Sequence, residues 1–445
     1  MTSKPRIQIW TTQIQSSFQD FFSRSSSAGI AILAFTALAM FWANSPLVGL
    51  YNTFLHQPIH VQVFSLDLQF TFGHFVNDGL MVLFFLLVGL EIKREVLVGE
   101  LSSAKRAALP LIAAVAGMIV PGAIYAWFNI GTSAAHGWGI PVATDIAFAL
   151  GILALLGRRV PLGLKVFLAA LAIADDLLAV AIIALFYTST INATALLSAC
   201  LVVVLLAVAR RAGIQDLRVY ALLGFALWVF VLHSGVHATI AGVVLALMVP
   251  SRARISPSSF VAELSGLTKQ LFVPASDSEG IGRQLDVVHA IEQRTEMVQS
   301  PLQRMQQALQ IPVDFVVLPL FALVNAGVAL TGAVAEGLTT PLSLGIALGL
   351  VVGKQVGITL AVWLSCRMGL AQMPKGVSLQ TIYGVAVLCG IGFTMALFVA
   401  QLTFGEGMQL DIARVSVFAA SAISAILGIG ILNVGLPKRA QEVAT

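Results

Sequence analysis

The chain has 445 residues, of which 58% are hydrophobic and only 10% are charged, and its formal net charge is +4. Soluble domains carry roughly 25% charged residues, so a soluble protein of this composition would expose apolar surface everywhere. The composition therefore predicts an all-α polytopic membrane protein. The surplus of Lys and Arg is typical of its cytoplasmic loops and does not indicate nucleic-acid binding.

Twelve apolar segments are candidates for membrane-spanning helices, each of which needs about 20 apolar residues. Residues 1–27 precede these segments and are predicted to form a cytoplasmic or interfacial tail. The apolar residues of this tail are spaced as in a short helix that lies on the membrane surface. The predicted helices, numbered 1 to 12, lie near 28–46, 71–97, 107–128, 133–156, 162–187, 194–211, 217–232, 235–250, 303–330, 342–366, 380–404 and 411–434.

The remaining segments complete the predicted organisation of the chain. Helices 1–8 fall within 28–250 and helices 9–12 within 303–435, and a charged cytoplasmic loop, 251–302, separates the two groups. Residues 436–445 form a second cytoplasmic tail. Between helices 1 and 2, residues 57–70 alternate between β-branched and polar types, which predicts a small β-hairpin. Such a hairpin is too short to be stable alone and needs a partner.

The distribution of Lys and Arg predicts the orientation. Of the 25 Lys and Arg residues, all except Lys354 and Arg414 lie in the tails, at helix starts or in loops on the same side as the N-terminus. The loops on the opposite side contain none. Cytoplasmic loops are rich in Lys and Arg, so both termini are predicted to be cytoplasmic and the hairpin to lie outside. A wrong helix count would scramble this alternation.

Charged residues inside the predicted helices are the candidates for function, because each costs about 2.5–3.5 kcal/mol at membrane depth. For two of them, Asp145 and Lys354, a buried ion pair that only joins helices is an alternative interpretation. The candidates are Asp175 and Asp176 in helix 5, Asp145 beside Thr144 in helix 4, Lys354 in helix 10, and Asp78 and Glu91 in helix 2.

The neighbouring carboxylates Asp175 and Asp176 predict an exchange site. Adjacent side chains on a helix point about 100° apart, so one structural cation cannot easily satisfy both. Two like charges this close also resist being ionised together. Carboxylate oxygens suit small hard cations, and competition between a proton and a metal ion for one site is the chemistry of an antiporter. No His or Cys grouping indicates a cofactor or another metal site.

Helices 4 and 11 carry residues that break helices at their centres. Pro141 precedes Asp145 in helix 4, and Gly390 and Gly392 lie in helix 11. These helices are the middle members of helices 3–5 and 10–12, and broken helices at matching positions of an inverted repeat are typical of a transporter's binding site. Asp145 is predicted to offset the dipoles at the facing helix N-termini, and Lys354 those at the C-termini.

Six sequence motifs resemble the NhaA family of sodium/proton antiporters. The resemblance covers roughly residues 28–250 and 311–435. It implies exchange of intracellular Na⁺ or Li⁺ for external H⁺ across a bacterial inner membrane, in the service of pH and sodium homeostasis. More than one proton per cation makes this exchange electrogenic. The motifs are PVATDIAFALG, LAIADDLLAV, SGVHATIAG, FFLLVGLEIKRE, PLFALVNAGV and GKQVGI.

The same resemblance assigns residues to roles. It implies Asp175 and Asp176 as the cation and proton site, where the transported Na⁺ binds, and Lys354 as the partner of Asp175. The supporting residues Asp145 and Thr144 would then lie where the broken helices cross. The positions of Glu91 and His237 correspond to those linked to pH response, although a packing or capping role for His237 remains open. The hairpin 57–70 corresponds to the contact of a homodimer.

Two features depart from the family pattern. The loop 251–302 is longer than expected. The start of helix 9, where relatives carry Glu and His, has Gln306, Gln307 and Gln310, which cannot titrate. We therefore predict that competition at the aspartate pair, rather than a separate cytoplasmic sensor, sets most of the pH dependence. An intramembrane aspartyl hydrolase and a cation channel are the alternative functions. The first needs two aspartates facing each other across water, and the second needs repeated or ring-like acidic sites.

Overall fold

The computed structural model describes residues 27–63, 66–187, 191–271 and 278–436, which form a helical bundle with one two-stranded sheet. The tails predicted at 1–27 and 436–445 lie outside the described residues, except for one boundary residue each. The polytopic all-α class is confirmed.

Each of the twelve predicted apolar segments contains a helix. A 3₁₀ segment, Ala135–Val142, leads into α5, and strands β1 (Pro58–Val63) and β2 (Leu66–Thr71) follow α2. The helices are α1 (Ser27–Ala43), α2 (Val48–Leu55), α3 (Phe72–Val98), α4 (Ala104–Asn129), α5 (Ile146–Leu155), α6 (Leu162–Phe186), α7 (Ala193–Arg211), α8 (Leu217–His233), α9 (Ile240–Met248), α10 (Pro257–Leu271), α11 (Ser278–Val298), α12 (Pro301–Ala326), α13 (Gly332–Gly337), α14 (Pro341–Arg367), α15 (Leu379–Leu388), α16 (Phe393–Phe404) and α17 (Met408–Gly435).

The lengths of these helices refine the predicted count of twelve spans. Within the described ranges, eight helical segments are long and apolar enough to cross a membrane, or ten if each bent pair is one span. The bent pairs are α1 with α2, at 119°, and α15 with α16, at 45°. The other two predicted helices, α8 and α9, have 17 and 9 residues. Helix α9 starts later than predicted because residues 234–239 form turns.

The predicted pattern of a broken helix between two straight ones occurs twice. Helix α4, the broken segment ending in α5, and α6 form the first triplet. Helix α14, the bent pair α15–α16, and α17 form the second. Helix α4 packs against both α6 and α14, and α17 packs against both halves of the bent pair. The two triplets therefore share one core.

The predicted hairpin is confirmed. Its strands pair antiparallel from Pro58 opposite Thr71 to Val63 opposite Leu66, and the two residues of its turn lie outside the described ranges. A short hairpin needs an external contact, and Phe70 supplies one by stacking on Trp228 of α8 with ring centroids 6.2 Å apart. We call this side of the bundle the hairpin end.

The charged segment 251–302 contains two helices, α10 and α11, that the sequence did not predict. They pack against each other, and Arg294 Nη1 lies 3.1 Å from Glu263 Oε2 across their interface. Both helices are amphipathic and charged, which agrees with a segment outside the apolar bundle.

Candidate ion-binding site

The two broken helices cross and bond to each other. The hydroxyl of Thr144 donates to the carbonyl oxygen of Cys389 at 2.8 Å, and the backbone N–H of Asp145 donates to the carbonyl oxygen of Ile391 at 2.7 Å. Backbones this close leave no room for a side chain at Gly392, where a Cβ would lie 3.2 Å from the carbonyl oxygen of Ala143 and 2.8 Å from Ala396 Cβ. The crossing thus satisfies polar groups that the helix breaks expose.

The carboxylate of Asp145 caps the first turns of two helices. Its Oδ1 accepts a hydrogen bond from the N–H of Phe148 in α5 at 3.1 Å. Its Oδ2 accepts from the N–H of Thr394 in α16 at 3.1 Å, and also from the Thr394 hydroxyl. A negative charge between two helix N-termini is favourable. The sequence located the break in helix 11 but did not identify Thr394 as a partner of Asp145.

Asp175 on α6 forms an ion pair with Lys354 on α14. Lys354 Nζ lies 2.7 Å from Asp175 Oδ2, and only 1% and 4% of the two side chains are exposed. The other carboxylate oxygen, Asp175 Oδ1, is buried without a hydrogen-bond partner in the described structure. A wider π-helical turn, Gly349–Gly353, ends immediately before Lys354, and such turns are frequent at functional sites.

Asp176 faces a different environment from its neighbour. It is 2% exposed, and its carboxylate makes no hydrogen bond or ion pair with another described side chain. Its side chain lines a cavity of about 70 Å³, here called the Asp176 cavity, which is large enough for a few waters or one small ion. The lining includes Phe84, Leu87, Val88, Glu91, Asp145, Asp176, Gln310, Asp314, Leu318, Thr394 and Met395.

Asp314 was not among the candidate residues predicted from the sequence. This carboxylate lies in a π-helical turn of α12, Val313–Val317, and its Oδ2 accepts a hydrogen bond from Gln310 Nε2 at 2.9 Å. Asp314 lies inside predicted helix 9, so it carries the same signal as the other aspartates, a charge within an apolar helix. The cavity thus brings four carboxylates to one space, from α3, α6, α12 and the start of α5.

Glu91 reaches the same cavity through a chain of polar side chains. Its Oε1 accepts from Gln306 Nε2 at 3.4 Å, and the amide oxygen of Gln306 accepts from Arg94 Nη1 at 3.5 Å. Gln306 and Gln310, the two glutamines noted at the start of predicted helix 9, therefore contact Glu91 and Asp314. The titratable groups of this region are therefore the carboxylates that the two glutamines contact.

His237, the second residue linked to pH response, lies away from the Asp176 cavity. Its Nε2 is 3.6 Å from Asp78 Oδ1, its Nδ1 is 2.8 Å from Thr239 Oγ1, and its ring stands edge-on to Phe398 with centroids 5.5 Å apart. The structure therefore does not bring His237 and Glu91 together. A packing role, which the sequence left open, agrees with these contacts.

A second cavity of about 310 Å³ lies at the hairpin end, since His56 and Thr71 beside the strands line it. Asn325 Nδ2 donates to Asn77 Oδ1 at 2.7 Å, and both buried amides line this hairpin-end cavity. Arg414, one of the two cations outside the predicted cytoplasmic segments, also lines it. Arg414 donates to Gln401 Oε1 at 2.9 Å. The two cavities share no lining residue.

The described residues contain no cluster of three or more His, Cys, Asp or Glu side chains arranged to hold a metal ion. Asp175 is already neutralised by Lys354, while Asp176 faces a cavity. The arrangement suits reversible binding of a small cation or a proton better than permanent retention of a metal.

Comparison with known proteins gives one consistent family. The model described as Na⁺/H⁺ antiporter 1 matches residues 19–432. The chain is 44% identical to the Na⁺/H⁺ antiporter NhaA of Oleidesulfovibrio alaskensis over 96% of each chain. It is 44% identical to that of Koribacter versatilis over 93% of this chain and 90% of the relative. For Shewanella loihica the identity is 43%, over 96% of this chain and 100% of the relative.

Proposed function

The chain belongs to the Na⁺/H⁺ antiporter 1 family, and on that premise we propose that it exchanges intracellular Na⁺ or Li⁺ for external H⁺ at the Asp175–Asp176 pair. It is a multi-pass transporter of the bacterial inner membrane and not an enzyme, and Na⁺ and H⁺ are its transported ions. Our proposal goes beyond family membership in four respects: the site, the direction of exchange, the use of Li⁺ and the electrogenic stoichiometry.

The different surroundings of the two aspartates carry this proposal. Lys354 neutralises Asp175, whereas Asp176 lines a cavity that it shares with Glu91 and Asp314. A cation at Asp176 competes with a proton for the same oxygens. If the cation also draws Asp175 away from Lys354, charge is redistributed over both aspartates and the lysine. Competition at Asp176 by itself accounts for one proton per cation, and the proposal of more than one proton rests on the family resemblance.

The broken helices provide the means to expose this site to either side. Asp145 holds the two helix N-termini together, and Thr144 ties the same crossing to the end of α15. A crossing made of a few hydrogen bonds between unwound segments can shift more readily than continuous helices. Alternating access around a fixed site is the behaviour expected of such a crossing.

The alternative functions fit the geometry less well. An aspartyl hydrolase shares one proton between two aspartates across water, but the amine of Lys354 occupies Asp175. A channel needs a continuous path, and the cavities at the two ends have no lining residue in common. Family membership favours exchange over both.

The hairpin end, in this proposal, faces the outside, and both termini and segment 251–302 are cytoplasmic. The Lys and Arg distribution supports that orientation. We further propose a homodimer joined through the hairpin, whose edge strands have unpaired backbone groups available for a second copy. Removing residues 59–69 should convert a dimer to a monomer in native mass measurements. A dimer that persists after this deletion would exclude the hairpin as the contact.

The central test is the substitution Asp176→Asn in everted vesicles. Na⁺-driven pH change should disappear while the protein remains folded and inserted, because an amide has no ionisable proton for Na⁺ to displace and no anionic oxygen to bind it. The matched control is Asp286→Asn on exposed α11, which should exchange at the wild-type rate. Near-native turnover and cation affinity in Asp176→Asn would refute the assignment.

Electrogenic exchange is tested in proteoliposomes containing the wild-type protein. If more than one proton moves per Na⁺, an imposed membrane potential should accelerate or slow exchange according to its sign, since each turnover carries net charge. Rates that ignore the potential would refute electrogenicity and leave the site assignment intact.

A further inference from the structure

We propose that a groove at the end of the bundle opposite the hairpin binds an anionic phospholipid, with its phosphate at Lys105 and Arg106 and an acyl chain between α4 and α6. The groove, here called the basic groove, is a cavity of about 660 Å³ between the start of α4, the start of α6 and residues 369–375. It shares no lining residue with the Asp176 cavity or the hairpin-end cavity. The proposed lipid site is therefore separate from the ion site.

The course of the chain places the basic groove at that end. Helix α3 leaves the hairpin and ends at Val98, and α4 begins a few residues later at Ala104. Helix α4 and the broken segment 135–155 then each cross the bundle once, so that α6 begins at the same end, at Leu162. In the proposed orientation this end lies at the cytoplasmic leaflet of the membrane.

Positive charge without a counter-ion surrounds the groove. Lys105, Arg106 and Lys375 line it, and none of the three forms an ion pair with a carboxylate of the described residues. Arg106 donates to two serine hydroxyls, at 2.9 and 3.2 Å. Glu100 is the one carboxylate in the lining, so the cations outnumber it. The charges favour an anion such as the phosphodiester of a lipid headgroup.

Two helix N-termini add to this positive potential. Helix α4 begins at Ala104 and α6 at Leu162, and neither has a side chain that caps its first turn. The first N–H groups of a helix have no acceptor within it, and the helix dipole makes this end favourable for an anion. Lys105 and Arg106 of the first turn of α4 line the groove, as do Leu162 and Gly163 of the first turn of α6.

The apolar part of the groove lies deeper in the membrane than its charges. Phe167 and Ala170 line it and follow Leu162 by five and eight residues, which places them about 7.5 and about 12 Å further along α6. Leu109 lines the same depth on α4. At the mouth, Leu162 and Leu370 are 51% and 59% exposed. A free phosphate ion needs no apolar channel, whereas a phospholipid brings a phosphate and an acyl chain in this order.

A lipid in this groove would contact both broken-helix triplets. Helices α4 and α6 belong to the first triplet, and residues 369–375 join α14 to α15 in the second. The two sides already lie close together, since a Cβ at Gly163 would be 3.0 Å from the carbonyl oxygen of Lys375. A ligand that binds only the folded bundle stabilises it. Here it would stabilise the packing of α6 with α14 that brings Asp175 to Lys354.

Thermal unfolding of the delipidated protein in detergent is the first measurement. Added phosphatidylglycerol should raise the unfolding temperature of the wild type in a saturable way, because the lipid binds the folded state. Phosphatidylcholine, which has no net charge, and inorganic phosphate, which has no acyl chain, should leave it nearly unchanged. An equal rise with inorganic phosphate alone would overturn the lipid assignment in favour of a free anion.

The double substitution Lys105→Gln and Arg106→Gln tests the charged part of the groove. It should raise the phosphatidylglycerol concentration that gives half of the thermal shift on the order of tenfold, since two cations near the headgroup are lost. The control is Arg218→Gln with Lys269→Gln, which removes the same charge from exposed residues outside the groove. Equal lipid dependence in wild type and the groove variant would overturn the proposal.

The substitution Val166→Phe tests the apolar part, because it fills the groove and leaves every cation in place. It should weaken the effect of phosphatidylglycerol although the charge is unchanged, and a wild-type effect would show that no acyl chain lies there. Native mass measurements keep the test decisive if a variant has altered unfolding. The wild type should retain one more phosphatidylglycerol than Lys105→Gln with Arg106→Gln, and equal numbers of bound lipids would overturn the site.

Discussion

Replacing Lys354 by Met tests whether the ion pair in the core stabilises the bundle. Methionine keeps most of the volume and removes the charge, so the loss is electrostatic rather than a packing defect. Lys354 and Asp175 are 99% and 96% buried by side chain and 2.7 Å apart. Asp175 Oδ1 already lacks a partner, so the substitution leaves the whole carboxylate unpaired in an apolar core.

Breaking a buried ion pair from one side costs about 3–5 kcal/mol, while replacing both partners by apolar residues is often nearly neutral. Lys354→Met should therefore lower the free energy of unfolding by about 3–5 kcal/mol. Adding Asp175→Leu should recover most of that loss.

The assay is equilibrium or thermal unfolding of the purified protein in detergent. Lys375→Met, which removes an exposed lysine, is the control and should change stability by less than about 1 kcal/mol. The reasoning is refuted if Lys354→Met unfolds like wild type. It is also refuted if Asp175→Leu adds a further loss to Lys354→Met instead of restoring stability.

Three further predictions concern the crossing, the cavity and the pH dependence. Thr394→Val removes a hydroxyl bond to buried Asp145 and should destabilise the protein by about 1–3 kcal/mol, measured by unfolding, whereas Thr394→Ser should remain near wild type. Asp314→Asn removes one carboxylate from the Asp176 cavity and should raise the Na⁺ concentration needed for half-maximal exchange; an unchanged value would show that Asp314 does not attract the cation. Raising Na⁺ should shift the activity profile to lower pH, because cation and proton compete for one site, and deleting residues 255–298 should leave that profile nearly unchanged. A sharp alkaline switch that ignores Na⁺, or one that vanishes with the deletion, would instead indicate a dedicated sensor.

Local patterns in the sequence were sufficient for the class of protein and for much of its organisation. Apolar runs of about 20 residues predict membrane helices because lipid cannot satisfy a bare backbone, and every predicted run contains a helix. The alternation in residues 57–70 predicted the hairpin for a similarly local reason. The charges of Asp145, Asp175, Asp176 and Lys354 were conspicuous because so few charges occur in apolar helices.

The local signals were weaker where helix ends depend on contacts elsewhere. Helix α9 is shorter than its apolar run predicts, since residues 234–239 form turns that position His237 against Asp78 and Phe398. The helices of segment 251–302 were not predicted, because the many charged residues of this segment obscure the amphipathic spacing of α10 and α11. Asp314 was visible in the sequence, but only the cavity shows that it shares a space with Asp176.

Only the tertiary structure decided which of these residues meet. Asp145 and Thr394 are 249 positions apart, and Asp175 and Lys354 are 179 apart. Apolar periodicity specifies which face of a helix is buried but not which partner it meets. The partners are fixed by the packing of all the helices together, and that packing separates the ion site from the hairpin end.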